Sequence, residues 1–205
     1  MSYRSDFLKA FLAKKKYLPN EKPEKFFTYK DLSSFNASKD SKKVAKVFQD
    51  IDELFQDYYI PKKEELNQPI ANACHLISYD MLLWMTKNHI CDASDLAYTI
   101  GDVSFQGEWI YNVTEENLKE TIKKGLDLKK DINVHAWLTY RTNYILDPTI
   151  LFTLNDRELY DINSAENRIQ LWSDCYNEFK WELNYKPLLV DSGFIHRVDT
   201  VQYNL

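Results

Sequence analysis

Glycine and proline are scarce in this chain, 4 and 6 among 205 residues. That excludes collagenous and low-complexity architectures, which depend on those residues. Cysteine is nearly absent too. The three cysteines lie far apart, and an odd number points to reduced thiols rather than a disulfide framework. Positive charge is outnumbered, 26 basic against 31 acidic residues for a net charge of −5, so the basic face that nucleic acid requires is missing. No apolar run reaches the length of a membrane span. The opening "MSYRSDFLKAFLAKKKYL" lacks the order of charge, apolar core and cleavage site that makes a signal peptide. These absences predict a cytoplasmic protein, or one exported without a classical signal peptide, with neither nucleic acid nor membrane as partner. What is abundant is apolar and aromatic. Hydrophobic residues reach 44 % and aromatics 15 %, with 14 tyrosines, enough for one domain with a core of large flat side chains.

Residues 1–66 read as a charged, helical N-terminal segment packed on a core that spans 67–205. Its clearest helix is "SKKVAKVFQDIDELFQDYY", where Val44, Val47, Phe48, Ile51, Leu54, Phe55 and Tyr58 make one apolar face, and Pro61 is expected to end it. "ANACHLISYDMLLWMTKNH" reads as a helix apolar almost all round, hence buried centrally, with Asn72 as N-cap and Cys74 in the first turn. Two strand-like stretches follow, "LAYTIGDV" and "EWIYNV", split by Gly107. "TEENLKETIKKGL" is an amphipathic helix capped by Thr114, with Leu118, Ile122 and Leu126 inward. "INVHAWLTY" and "YILD" form a hairpin through "RTN". "SAENRIQLWSDCYNEFKWEL" reads as a helix with Ile169, Trp172, Tyr176 and Phe179 on one face, and "PLLVDSGFIHRV" as a closing strand pair. The fold class predicted is α+β: a central buried helix on an antiparallel sheet, with further helices outside.

Three residues in chain order carry chemistry. Cys74 opens a helix, where the dipole and unbonded N–H groups favour a thiolate. Alternation along the strand puts Val134, Ala136 and Leu138 on one face and His135 with Trp137 on the other. Asp147 ends the neighbouring strand, about 4.8 Å away, within reach of the His135 ring. A thiol, a histidine to take its proton and a carboxylate to orient the histidine form an activated nucleophile.

"NACHLIS", "VHAWLTY" and "YILDPT" together resemble the transglutaminase-like branch of the papain-like cysteine enzymes. That family has a Cys at the start of a central helix, a strand written "HAW" and a strand ending in "D-P-T". The likeness spans about Gln68 to Thr149, less than half of the chain. It implies a papain-like core with Cys74, His135 and Asp147 as catalytic triad, acting on an amide bond of a peptide or protein, with no cofactor. Gln68 stands six residues before Cys74, as the oxyanion-binding Gln of papain-like enzymes does, and is the implied donor at that site. Trp137 and His75 are the expected pocket residues. The Trp that the cross-linking enzymes carry upstream of the Cys is absent, which implies water rather than an amine as acyl acceptor: a peptidase, amidase or deamidase.

Each residue also has a plainer reading. Cys74 can be a small core residue, His135 a half-buried strand histidine, Asp147 a turn acid capping "DPT". The remaining functional alternatives are transglutaminase-type transfer and an inactive member of the fold that binds a peptide or protein. Cys74–His75 and His89 with Cys91 are too few for a zinc site, so no metal is expected. Cys91, Cys175 and His196 are expected to be structural, and Trp109 to be core or pocket wall. Oligomeric state is not legible.

Overall fold

The computed structural model describes residues 3–22, 37–124, 133–164, 170–173 and 183–198. In chain order the elements are α1 (Tyr3–Tyr17), α2 (Ala37–Leu54), a π-helical turn (Phe55–Tyr59), α3 (Ile60–Glu65), α4 (Cys74–Lys87), β1 (Leu96–Phe105), β2 (Glu108–Trp109), α5 (Glu115–Lys124), β3 (His135–Tyr140), β4 (Tyr144–Asp147), α6 (Ile150–Asp156), β5 (Gln170–Ser173), β6 (Leu183–Val190) and α7 (Phe194–Val198). The architecture is α+β, with a six-stranded, wholly antiparallel sheet. Among the described residues no helix is long and apolar enough to cross a membrane.

β1 is the spine of the sheet. It pairs with β3 along Leu96–Gly101 and with β6 along Thr99–Phe105, while its far end meets β2. All ten β1 residues are buried, because strands flank it and helices cover both faces. That is why "LAYTIGDVSF" shows no polar alternation. Gly101 is demanded by close approach. A Cβ there would lie 2.1 Å from the Lys186 carbonyl oxygen and 2.9 Å from the Trp137 ring. The β1–β6 register shifts at this point, between Ile100 and Gly101.

α4 packs on one face of the sheet, where Ser78 Oγ donates to Ala136 O at 3.0 Å and Tyr98 Oη to His75 O at 2.9 Å. α1 covers the other face, burying Tyr3, Phe7 and Ala10 against Ala97, Trp137, Ile145 and Val190. Phe7 alone, fully buried, contributes about 1.5–3 kcal/mol. An ion cluster ties the end of α1 to α7. Lys14 Nζ donates to Asp191 Oδ1 at 2.8 Å, Arg197 Nη2 reaches both oxygens of Asp191 at 2.7 and 2.8 Å, and Arg197 also pairs with Glu21. Asp191 is fully buried. Burial alone would raise its pKa, but Arg197 and Lys14 hold the carboxyl below its ordinary range.

Several expectations are corrected. Pro61 does not end the helix before it but sits in the first turn of α3. The π turn supplies the reason. Ile60 N–H bonds Phe55 O, five residues back, and this wider turn lets the chain continue past a proline that offers no N–H. Asn72 is not the N-cap of α4. Ala73 is, without a side-chain cap, while Asn72 takes φ 59° and bonds α6 through Thr153 and Asp156. α4 is also not buried all round. Cys74, Ile77, Ser78, Met81 and Met85 are buried, whereas Leu83 is 48 % exposed and borders a groove of about 560 Å³ with Tyr59, Leu66 and Trp84. Gln170–Ser173, expected as helix, is a strand that completes the β4 edge. Ile169, Cys175, Tyr176 and Phe179 lie outside the described residues, as do Gly125 and Leu126. The closing "FIHRV" is helix rather than strand, because Asp191 turns the chain by accepting Gly193 N–H at 3.2 Å. Trp109 is 41 % exposed, with Lys186 Nζ 5.4 Å from its ring centre. The Thr114 cap agrees with the sequence: its Oγ1 accepts Asn117 N–H at 3.1 Å.

Candidate active site

Cys74 starts α4, and its sulfur points at the beginning of β3, 3.7 Å from Val134 O. Four residues on, Ser78 meets Ala136, so the Cys74–Ser78 edge of the helix is the one laid on β3. β3 then carries His135 to this corner. Its Nε2 and Asp147 Oδ2 lie 2.6 Å apart, both residues fully buried.

Asp147 is fixed by the "DPT" sequence itself. Oδ1 accepts Thr149 N at 3.0 Å, Thr149 Oγ1 at 3.2 Å and Ile150 N at 3.1 Å, which anchors the start of α6. Oδ2 accepts Tyr185 Oη at 3.0 Å besides His135. The carboxylate therefore has every lone pair engaged, and the imidazole is held in one orientation. With Nε2 given to Asp147, Nδ1 is the nitrogen left for the thiol. Among the described residues no partner meets Nδ1 in hydrogen-bond geometry. The thiol, which donates to Val134 O, and the ring are near enough to act on each other electrostatically.

Their electrostatic coupling is strong. Burial alone would push the Cys74 thiol up, but the His135 charge and hydrogen-bonding capacity, helped by His75, bring it down to about 6. Burial would likewise push the His135 ring down, and Asp147 with Cys74 instead lifts it to about 10. Both shifts favour the thiolate–imidazolium form of the pair. Cys91 shows the opposite case. It is buried beside Asp95 and Asp92 and is pushed up to about 12, which leaves it an inert thiol.

The His135 ring is clamped between two aromatics. Tyr111 stacks on one side, centroids 5.0 Å apart and planes 18° apart, and Trp137 on the other at 5.7 Å and 26°. Trp137 is fully buried beneath α1, its Nε1 donating to Tyr3 Oη at 2.8 Å, so it lines no open pocket. His75 lies at 6 % exposure beside the thiol, not on a rim, and its Nδ1 has no partner among the described residues. Gln68 is not brought to the thiol. It is exposed, its Oε1 accepts Lys63 Nζ at 2.9 Å, and it borders the outer face of α4 with Leu76 and Asp80. His196 bonds Tyr79 Oη at 2.7 Å on the surface. Cys74, His135 and Asp147 come together; Gln68 stands apart. Sequence reading missed Tyr111 and Tyr185, which reach the site by folding and carry no local motif. Among the described residues no group of three or more His, Cys, Asp or Glu side chains is placed to hold a metal ion.

The cluster combines a depressed thiol, a proton-bearing imidazole and a carboxylate that orients it, all shielded from water. No family model, curated protein or solved structure matches this chain.

Proposed function

We propose that this protein is a cysteine-dependent acyl-transfer enzyme of the transglutaminase-like, papain-like kind, acting as an amide hydrolase on a peptide or protein. The observation that carries the reading is the buried His135–Asp147 pair at 2.6 Å, beside a thiol depressed to about 6. In this reading Cys74 sulfur adds to the amide carbonyl. His135 gives its proton to the leaving amine and then takes one from the water that releases the acyl group. Asp147 holds the ring and stabilises its positive form. Water is favoured over an amine because the upstream Trp of the cross-linkers has no counterpart in this sequence.

A second reading, an inactive member of the fold that binds a peptide or protein, draws on the sealing of the site: Cys74 is 1 % exposed and its two partners 0 %. One experiment separates them. The native protein is incubated with a glutamine-containing peptide pool and a labelled primary amine, then analysed by mass spectrometry beside Cys74→Ala. Cys74-dependent cleavage or deamidation supports the hydrolase. Label incorporation replaces it with a transferase. No turnover, together with a thiol that iodoacetamide modifies no faster than Cys91, supports the binding role.

A further inference from the structure

The reading of Cys74 as a nucleophile leaves one chemical need unmet. The carbonyl oxygen becomes negative when sulfur adds, and a buried site must supply donors for it. Backbone N–H at the uncapped start of α4 is one source. Gln68, the side-chain donor expected from spacing, faces elsewhere.

Tyr111 has the features of that donor. It is 5 % exposed, and among the described residues its hydroxyl has no partner in hydrogen-bond geometry. The Thr153 hydroxyl interacts with it: Thr153 Oγ1 accepts Asn72 N–H at 3.1 Å and still has its own proton to turn to the phenol oxygen, which leaves the phenol proton without an acceptor. A buried phenol ordinarily finds a partner, and leaving one unmet is unfavourable. A phenylalanine would fill the same space without that penalty. The chain also invests several bonds in placing this ring. Buried Asp102 accepts Tyr111 N at 3.1 Å and Val113 N at 2.7 Å, pinning the loop on both sides of the tyrosine. Arg157 Nη1 donates to Ile110 O at 2.6 Å while its guanidinium lies 5.1 Å from the Tyr111 ring centre. The phenol is thus held between a guanidinium and the His135 imidazole. Burial, and next to it the Cys74 charge, raises its pKa well above the ordinary value, so the hydroxyl keeps its proton.

We propose that the Tyr111 hydroxyl is a catalytic residue, the side-chain donor to the oxyanion formed when Cys74 attacks an acyl carbonyl. The step balances simply. The S–C bond forms as the carbonyl π pair moves to oxygen, where Tyr111 Oη–H and backbone N–H donate. Collapse restores the carbonyl, breaks the bond to the leaving group and returns no charge to Tyr111, which keeps its proton throughout. This assignment rests on the acyl-transfer reading.

The test compares two reactions of the same thiol in the full-length protein. Acylation by p-nitrophenyl acetate passes through an oxyanion; alkylation by iodoacetamide does not. Tyr111→Phe keeps the ring and its stacking. We expect its Cys74-dependent burst of p-nitrophenolate to slow roughly 10²–10³-fold, with the rate and pH midpoint of alkylation unchanged. A burst as fast as the parent's overturns the assignment, and so does an alkylation rate that falls in step with acylation, which would make Tyr111 a packing residue. A burst that is absent from the parent, or that survives Cys74→Ala, overturns the acyl-transfer reading itself.

Discussion

Asp147→Asn separates the charge of this carboxylate from its role in the fold. The amide oxygen can keep the three bonds now made by Oδ1 to Thr149 and Ile150, so the start of α6 stays anchored. At the Oδ2 position an NH₂ group would face His135 Nε2 at 2.6 Å, donor against donor. His135 relieves this by giving up the Nε2 proton and holding its remaining proton on Nδ1. It then has neither the charge that depresses Cys74 nor a lone pair for the thiol proton. With burial no longer opposed by that charge, the thiol returns from about 6 toward its ordinary value of 9.0 or beyond. At pH 7 the thiolate fraction falls from about nine-tenths to about one in a hundred, roughly 90-fold for a three-unit rise. The more basic thiolate recovers roughly 15–30-fold in intrinsic nucleophilicity. Alkylation at pH 7 therefore slows only about three- to sixfold, and the midpoint is the decisive quantity. It is read from ultraviolet thiolate absorbance against pH, with Cys74→Ala as baseline, so reagent access does not enter. A variant midpoint that stays near 6 refutes the argument that His135 and Asp147 together set the thiol.

Four further outcomes follow from the geometry. Gly101→Ala forces a methyl into backbone and the Trp137 ring, so it is expected to lose about 1–3 kcal/mol or more in denaturant unfolding; a neutral effect contradicts the close approach. Asp191→Ala removes the buried carboxylate that Lys14 and Arg197 share and is expected to destabilise by about 3–5 kcal/mol, detaching α1, which limited proteolysis before Leu18 would detect. Asp102→Ala frees the loop that carries Tyr111, so iodoacetamide is expected to reach Cys74 faster while the pH midpoint stays; an unchanged rate would mean this loop is not the cover. The pH dependence of stability has two arms. His135, raised to about 10 from 6.5, stabilises fully below pH 6.5 and loses this as pH rises to 10; Cys74, lowered to about 6 from 9.0, stabilises fully above pH 9 and loses this as pH falls to 6. The melting temperature relative to the Cys74→Ala, His135→Ala double variant is expected to be highest between about 6.5 and 9, and a flat difference rejects the ion pair.

What the sequence determined is what its local chemistry can express. The apolar spacing of Val44, Val47 and Ile51 makes an α2 face that the core buries, whatever it packs on. Thr114 caps α5 because its hydroxyl reaches an N–H three residues away. "DPT" and the residue after it fix the Asp147 carboxylate through Thr149 and Ile150, and the strand–turn–strand spacing brings His135 to it. These are short-range relations, and a single sequence contains them. The tertiary structure decided the rest. Residues 170–173 follow helical spacing, yet they are strand because β4 had an unpaired edge to fill. Pro61 reads as a stop, but a π turn carries the chain across it. Gln68 has a suggestive spacing from Cys74, yet Asn67 and Asn72 both take positive φ and the intervening chain turns it to the outside. Trp137 alternates as a pocket residue would, and α1, whose Tyr3 lies 134 positions earlier, seals it in. Tyr111 and Tyr185 could not be singled out among 14 tyrosines, because what distinguishes them is the company of His135 and Asp147. That company is created by pairing between distant strands and by the buried Asp102 holding a loop, contacts that no local pattern announces.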